Sequence, residues 1–259
     1  MIQEKVFDFT LPYPGKDDRR VRVFVPEHEE GETFPVIYMT DGQNLFDTET
    51  ATWGCWFTRE AVRAEMKNGL GGAVIVGVHN DNKWRDNELT PGSIGEVIGG
   101  AEMENFTQPE GEIFDSFVMN TVKPYVEQHF PVRIGKENTA FCGSSSGGLQ
   151  SFFTVLSHPD NFAAAGVFSP AFLLYTAEDM RRWIVSRLQR EMPYLYIYTG
   201  AGDDLENRIF QSVETTYDIL SECYPFNQLN EVILFENKHH ESAWSEIFPD
   251  FLRSFLGRK

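Results

Sequence analysis

One stretch of the chain decides the fold: Asn138-Thr139-Ala140-Phe141-Cys142-Gly143-Ser144-Ser145-Ser146-Gly147-Gly148-Leu149-Gln150. A short apolar run leads into Gly-x-Ser-x-Gly, and the pattern predicts a helix from about Ser146 to His158. Strand, sharp turn and helix are the context in which this motif forms a nucleophile elbow. Ser145 is then expected at the tip of the turn, between Gly143 and Gly147, because larger side chains there would crowd the turn. Free N–H groups at the helix start would point at the group that Ser145 attacks.

Length and composition indicate one ordered globular domain, residues 1–259. Hydrophobic residues make up 41% of the 259 residues, and there are 22 Phe, so a sizeable core can be buried. No apolar run approaches the roughly 18 residues of a membrane span. Met1 to Lys5 lack the basic start and apolar block of a signal peptide. We therefore expect a cytoplasmic protein, or a secreted one if a leader has been removed.

Charge and cysteine content exclude several classes of partner. Acidic residues number 39 against 22 basic ones, which gives a net charge of −17 with His neutral. This balance argues against nucleic acid and anionic membrane surfaces as partners. Cys55, Cys142 and Cys223 are far apart and contain no Cys-x-x-Cys pair, so neither a disulfide framework nor a zinc site is indicated. No metal or organic cofactor is expected.

Strands alternate with helices along the chain after an N-terminal strand pair. Strands are predicted at about 6–9, 20–25, 35–40, 72–78, 139–142, 164–169, 194–199 and 231–235. Helices are predicted at about 58–67, 113–130, 146–158, 177–189, 209–223 and 242–255, with a kink at Pro124. This order predicts an α/β fold, with a mostly parallel sheet of about eight strands and helices on both faces. Residues 80–111 form a long connection that could act as a lid over a site.

The carboxyl ends of the predicted strands carry the candidate catalytic groups, since ligands of such sheets bind there. Ser145 is the candidate nucleophile, and its register alternatives Ser144 and Ser146 are not centred between the glycines. In the chain order Ser, acid, His, the base is His239 or His240. The acid that orients it is Asp203 or Asp204, although Asp204 could instead cap the following helix.

Two backbone N–H groups are needed to stabilise an oxyanion. One is expected from Ser146, directly after the nucleophile. The other is expected from Gln43 or Asn44, in the turn after the third strand, where Gly42 lets the backbone approach a substrate closely.

At these residues the sequence resembles the putative-esterase family of the α/β-hydrolase superfamily. That family contains feruloyl and acetylxylan esterases, enterobactin-type siderophore esterases, S-formylglutathione hydrolases and mycolyltransferases. The matching segments span residues 35–256, nearly the whole chain. They are Val36-Ile37-Tyr38-Met39-Thr40-Asp41-Gly42-Gln43-Asn44-Leu45-Phe46-Asp47, Val76-Gly77-Val78, Arg85-x-x-Glu88-x-x-Pro91, Gly143-Ser144-Ser145-Ser146-Gly147-Gly148, Phe168-Ser169-Pro170 and His239-x-Glu241-x-x-Trp244.

The resemblance implies an α/β-hydrolase fold and a serine carboxylic-ester hydrolase that works through an acyl-enzyme. It favours His239 as the base, because the family has a Trp five residues later, here Trp244. It favours Asp203 as the acid, three residues after the strand-end Gly200, and Gln43 with Ser146 as the oxyanion donors. The sequence departs from the family at Ser146, where Met is common, and at Asp41, where many relatives have His.

Substrate contacts are the least specified part of the sequence. Asn44, Trp53, Trp56 and Trp244 are candidate substrate-binding residues. The tryptophans Trp53, Trp56 and Trp84 could line an aromatic acyl pocket or pack in the core. Arg85 and Glu88 could contact substrate, but an ion pair that braces the long connection is the favoured interpretation.

The family branch and the tryptophans favour feruloyl or acetyl esters of carbohydrates, hence a small-molecule or oligosaccharide ester. A siderophore esterase, an acyltransferase and a non-catalytic binding module on the same fold are the alternatives. Acidic residues near the long connection would repel a ferric tricatecholate anion; they are Glu96, Glu102, Glu104, Glu110 and Glu112. The sequence leaves the oligomeric state open.

Overall fold

An eight-stranded sheet forms the centre of the molecule. The computed structural model describes residues 1–100, 103 and 105–258, so Glu102 and Glu104 of the acidic set lie outside the described residues. The strand order is β1-β2-β4-β3-β5-β6-β7-β8. The strands are β1 Lys5–Leu11, β2 Arg19–Val25, β3 Val36–Met39, β4 Val74–Val78, β5 Thr139–Ser144, β6 Ala164–Phe168, β7 Tyr194–Thr199 and β8 Leu229–Ile233. Strand β2 pairs antiparallel with β1 and β4, and the remaining pairs are parallel.

Helices cover both faces of this sheet. They are α1 Thr58–Lys67, α2 Arg85–Glu88, α3 Gly111–Phe117, α4 Lys123–His129, α5 Ser146–Ser157, α6 Ala177–Arg187, α7 Asp204–Cys223 and α8 Glu241–Leu256. Helices α1 and α8 pack on one face and α3 to α7 on the other. The predicted fold class, an α/β-hydrolase fold with a mostly parallel sheet, is confirmed.

Strand β3 shows why the central strands read as continuous apolar runs. Val36 and Tyr38 belong to the core under α3 to α7, while Ile37 and Met39 belong to the core under α1 and α8. All four residues are at most 1% exposed. A strand covered on both faces has no solvent side, so hydrophobic residues occupy every position.

The helix predicted at 113–130 is interrupted. Its middle, Val118–Val122, is a π-helical segment between α3 and α4, and Pro124 lies in the first turn of α4. Proline lacks the N–H that an uninterrupted α-helix would use at this point, and the wider π turn accommodates the break. The single helix predicted here is thus three consecutive helical segments, and the kink expected at Pro124 stays a prediction.

Helix α7 begins at Asp204, five residues before the predicted start at 209. Its N-cap is Asp203, whose side chain accepts a hydrogen bond from the Glu206 N–H, so the alternative of Asp204 as the cap is wrong. This start places the acidic residues Asp204 and Glu206 in the first helical turn, shortly after the end of β7. Among the described residues, no helix is long and apolar enough to cross a membrane.

Candidate active site

Ser145 occupies the sharp turn between β5 and α5. Its backbone has φ 59° and ψ −126°, a conformation that a residue with a Cβ adopts only when its surroundings impose it. The Ser145 N–H donates to the Phe168 carbonyl at 3.0 Å, which holds the turn against β6. A Cβ on Gly143 would lie 2.4 Å from the carbonyl oxygen of Gly147, so the turn requires glycine there. The strand, sharp turn and helix predicted around Ser145 are present in the structure.

A buried glutamate orients the imidazole of His239. The His239 Nδ1 lies 2.6 Å from Glu206 Oε2, and Glu206 is fully buried in the first turn of α7. The other oxygen of Glu206 accepts the Ser169 hydroxyl at 2.6 Å and the Gly200 N–H at 2.7 Å. With Nδ1 engaged in this way, Nε2 is the ring nitrogen available to Ser145.

Trp244 fixes the position of the same ring. Its indole meets the His239 ring edge to face, with 5.1 Å between ring centroids. Its Nε1 donates to the Ser169 hydroxyl at 2.9 Å, the same hydroxyl that donates to Glu206. The carboxylate, hydroxyl and indole thus form one network around His239. The Trp five residues after His239, which the family resemblance singled out, therefore contacts the His239 ring directly.

The prediction that Asp203 accepts the imidazole N–H is wrong. Asp203 Oδ1 accepts the backbone N–H of Glu206 at 2.8 Å, and Oδ2 accepts the backbone N–H of His239 at 3.0 Å. Burial acts to raise the pKa of Asp203, but these backbone hydrogen bonds outweigh it and lower the pKa overall. Asp203 therefore anchors both the start of α7 and the loop that carries His239.

The sequence contained a signal for Glu206 that the strand-end argument missed. Asp203-x-x-Glu206 matches the pattern in which an N-cap residue is followed three positions later by Glu. That pattern assigns Asp203 to the helix cap and places Glu206 one turn further along the helix.

Ser145 and His239 line one cavity of about 260 Å³. Its walls also contain Trp53, which is 52% exposed, and Trp244. Two of the four predicted substrate-binding residues therefore line the cavity that Ser145 and His239 share. The lining residues are Asp41, Trp53, Arg85, Ser144, Ser145, His239, His240, Glu241 and Trp244.

Asn44 and Trp56 do not line this cavity, so their prediction as substrate-binding residues is wrong. Trp56 is 2% exposed and packs against Trp244 at 5.9 Å between centroids. Asn44 is 1% exposed and donates through Nδ2 to Glu241 Oε1 at 3.2 Å. Trp84 lines a separate cleft of about 510 Å³ beside the β1–β2 turn.

The turn predicted to supply the second oxyanion donor is tightly packed. Gly42–Asn44 form a short 3₁₀ turn behind Asp41, which has φ 54°. A Cβ on Gly42 would lie 2.5 Å from the backbone of Gly77, so glycine is required for this close approach. The Gln43 side chain donates to Asn80 Oδ1 and Asn82 Oδ1, both at 3.3 Å.

Ser146, the other predicted donor, is the first residue of α5. Its N–H therefore belongs to the group that has no partner within the helix. Its hydroxyl donates to Asp86 Oδ1 at 2.8 Å and is committed to that contact. The oxyanion roles of the Gln43 and Ser146 backbone N–H groups therefore stay predictions.

Arg85 links the turn after β3 to the end of β5. Its Nε and Nη2 donate to the Asp41 carboxylate at 2.6 and 2.9 Å, and Nη2 also donates to the Ser144 carbonyl at 3.2 Å. Burial acts to lower the pKa of Arg85, but the Asp41 carboxylate outweighs it and raises the pKa. Glu88 instead forms a bidentate ion pair with Arg19 at 2.9 and 2.6 Å. Arg85 and Glu88 thus brace the long connection through separate partners.

No group of three or more His, Cys, Asp or Glu side chains is arranged to hold a metal ion in the described part of the chain. The chemistry available in the cavity is that of a hydroxyl nucleophile, an imidazole base and a buried carboxylate.

Comparison with known proteins identifies the family. A family model described as "Putative esterase" matches residues 15–252. The chain belongs to the putative-esterase family. The resemblance inferred from the motifs is therefore confirmed, and the prediction of a carboxylic ester hydrolase is confirmed at the level of the family.

One curated relative shares part of its sequence with this chain. The siderophore triacetylfusarinine C esterase of Aspergillus fumigatus is 30% identical over 146 residues, which cover 53% of this chain and 44% of that relative. The aligned segment thus spans less than half the length of that relative.

Two solved structures show the same fold. The siderophore hydrolase EstA of Aspergillus nidulans has a TM-score of 0.74 at 18% identity, covering 96% of this chain and 94% of that one. The CE1 ferulic acid esterase AmCE1/Fae1A of Anaeromyces mucronatus has a TM-score of 0.70 at 19% identity, covering 99% and 92%. At these identities the likeness extends to the fold alone.

Proposed function

We propose that the protein is a serine carboxylic-ester hydrolase in which Ser145, His239 and Glu206 form the catalytic triad. The observation that carries the proposal is the 2.6 Å contact between Glu206 Oε2 and His239 Nδ1, together with the cavity that His239 and Ser145 both line. A buried carboxylate at Nδ1 holds the proton on that nitrogen, so Nε2 is free to act as a base.

The reaction proceeds in two halves. Ser145 Oγ attacks the ester carbonyl while His239 Nε2 takes its proton, and the backbone N–H groups of Gln43 and Ser146 hold the oxyanion. His239 then gives the proton to the leaving alcohol, which departs and leaves an acyl-enzyme on Ser145. Water, deprotonated by His239, attacks the acyl-enzyme carbonyl. The bond between the acyl carbon and Ser145 Oγ then breaks, His239 returns the proton to Oγ, and the carboxylic acid is released. Glu206 accepts the Nδ1–H hydrogen bond and stabilises the imidazolium in both halves.

Feruloyl or acetyl esters of carbohydrates are the substrates that we favour. The cavity of about 260 Å³ suits a small or flat acyl group. Trp53 offers a half-exposed indole at its wall, which can stack on an aromatic ring.

A siderophore ester is the second candidate, favoured by the 30% identity to the triacetylfusarinine C esterase. The net charge of −17 disfavours a strongly anionic ferric complex. Within this class, an uncharged siderophore is therefore the better fit.

Labelling with a fluorophosphonate probe tests the catalytic assignment. We expect covalent modification of the wild-type protein at Ser145, and none in Ser145→Ala. Ser146→Ala keeps the label, because the proposed role of Ser146 uses its backbone. Labelling that persists in Ser145→Ala contradicts the assignment, and no labelling of the wild type favours a binding module.

An ester panel tests the substrate class. Methyl ferulate, acetylated xylan fragments, short p-nitrophenyl esters and a siderophore ester are compared by kcat/KM. Higher kcat/KM on the first two supports the carbohydrate-ester assignment, and preference for the siderophore replaces it. Added alcohol acceptors with product analysis distinguish hydrolysis from acyl transfer.

A further inference from the structure

Glu241 is a buried carboxyl in the wall of the catalytic cavity that the triad does not use. The residue is 5% exposed and is the first residue of α8, two positions after His239. Its Oε1 accepts the Asn44 side-chain N–H at 3.2 Å, and Asn44 is held in turn by the Thr52 N–H at 2.9 Å. Glu241 Oε2, in contrast, accepts no hydrogen bond from any other described residue. This oxygen lies 4.0 Å from His240 Nε2, and both residues line the cavity.

The other charges in the wall are already paired. Arg85 and Asp41 form a bidentate ion pair, and a second carboxylate, that of Asp86, lies 3.2 Å from Arg85 Nη1. The guanidinium is therefore satisfied by protein groups. Glu241 Oε2 is therefore a charged acceptor in the wall that a ligand can use.

At 5% exposure the Glu241 side chain has little access to water, and holding a carboxylate charge there is costly unless donors surround it. Burial raises the pKa of Glu241, and the nearby Asp41 acts in the same direction. A ligand group that donates a hydrogen bond would relieve this cost, and a ligand carboxylate would increase it.

We propose that Glu241 is a specificity-determining residue that binds a hydrogen-bond donor, a hydroxyl or an ammonium group, carried by the substrate close to its ester. This proposal rests on the proposed esterase function and narrows its substrates to esters with such a donor. Esters that carry a carboxylate at the same place are excluded.

Matched esters measured on wild type and Glu241→Gln test the proposal. The acyl series contains methyl butyrate, methyl 3-hydroxypropanoate, β-alanine methyl ester and monomethyl succinate. Propyl acetate and 2-hydroxyethyl acetate cover the alcohol side. The intrinsic reactivity of each ester cancels when the two enzymes are compared on it. Glutamine keeps the acceptor for Asn44 and replaces the second oxygen with a donor, so the fold is preserved, which a melting curve checks.

We expect the wild-type to variant ratio of kcat/KM to be at least about tenfold larger for the ammonium ester than for methyl butyrate. The hydroxy esters shift less, and the carboxylate ester reacts faster with Glu241→Gln than with wild type. Glu246→Gln, an exposed change of equal charge on the same helix, is the matched control and should follow the wild type on every ester.

An equal change on all esters would show a structural role for Glu241 and overturn the proposal. The same selectivity shift in Glu246→Gln would assign the effect to the overall field and overturn it too. If the wild type hydrolyses none of these esters and none of the ester panel described above, the esterase function fails separately. The Glu241 site is then tested by NMR titration with benzylamine and benzyl alcohol. Tighter benzylamine binding to wild type than to Glu241→Gln supports the site, and equal or absent binding overturns it.

Discussion

Replacing Glu206 with glutamine keeps the shape of a fully buried side chain and removes its charge. The glutamine carbonyl can still accept from the Ser169 hydroxyl and the Gly200 N–H, which lie 2.6 and 2.7 Å from Oε1. The amide NH₂ then takes the place of Oε2, 2.6 Å from His239 Nδ1. Two donors cannot face each other, so the imidazole must carry its proton on Nε2. In that tautomer His239 cannot accept the proton of Ser145.

The size of the effect follows from this change of tautomer. The equivalent carboxylate-to-amide change in a serine protease lowers kcat by about 10⁴. A factor of about 10⁴ corresponds to about 5.5 kcal/mol of transition-state stabilisation. We expect a loss of this order in kcat for Glu206→Gln on p-nitrophenyl acetate, with KM changed far less, because substrate does not contact Glu206 directly.

Asp203→Asn and Asp204→Asn are the matched controls, since each also replaces one carboxylate in the first turn of α7 or at its cap. Asn at position 203 can still cap α7 through its carbonyl, but its NH₂ would face the His239 backbone N–H that Oδ2 of Asp203 accepts at 3.0 Å. Asp203→Asn is therefore expected to cost about 1–3 kcal/mol of stability. Its loss of kcat should stay far below that of Glu206→Gln, because the contact between Glu206 and the His239 ring is kept. Kinetics and melting temperatures of the three variants are compared. Activity of Glu206→Gln within tenfold of wild type, or an equal loss in Asp203→Asn, would refute the assignment of Glu206.

Two further predictions concern buried charge. Arg85→Ala leaves Asp41 buried and unpaired, so urea unfolding should show a loss of about 3–5 kcal/mol, and Arg85→Met with Asp41→Asn should recover most of it. Burial, Glu214 and Asp218 raise the pKa of Glu231 from its ordinary 4.5 to about 7. The folded state thus holds a proton that the unfolded chain loses, and stability falls as pH rises from about 4.5 to about 7. Glu231→Gln should therefore raise the melting temperature at pH 8 relative to wild type but not at pH 4.5.

The elements that the sequence predicted well are those set by local patterns. The run before Gly143 and the glycines around Ser145 are consecutive in the chain, so their turn is defined by neighbouring residues. Helix α1 was predicted with its observed bounds, Thr58–Lys67, because its apolar spacing and its ends are local as well. The local pattern of residues 113–130 was less informative. Pro124 predicted a kink, but nothing in the pattern predicted the π-helical segment before it.

Side-chain partners are where the sequence argument was incomplete. Asn44 and Trp56 lie next to the strand ends, yet Asn44 supports Glu241 and Trp56 packs in the core. Proximity in sequence to a strand end places a residue at the correct edge of the sheet. It does not determine whether its side chain points into the cavity or into the core, since that depends on how loops from distant parts of the chain pack.

By itself, the sequence determined the fold class, the turn that holds the proposed nucleophile Ser145 and the loop that carries His239, because each follows from a continuous pattern of residues. Only the tertiary structure decided that Glu206 rather than Asp203 meets the imidazole. The two acids are three residues apart, and α7 separates them by almost one turn, so they reach different atoms of His239. Asp203 meets its backbone N–H and Glu206 its ring, and the choice depends on how α7 and the β8–α8 loop approach each other.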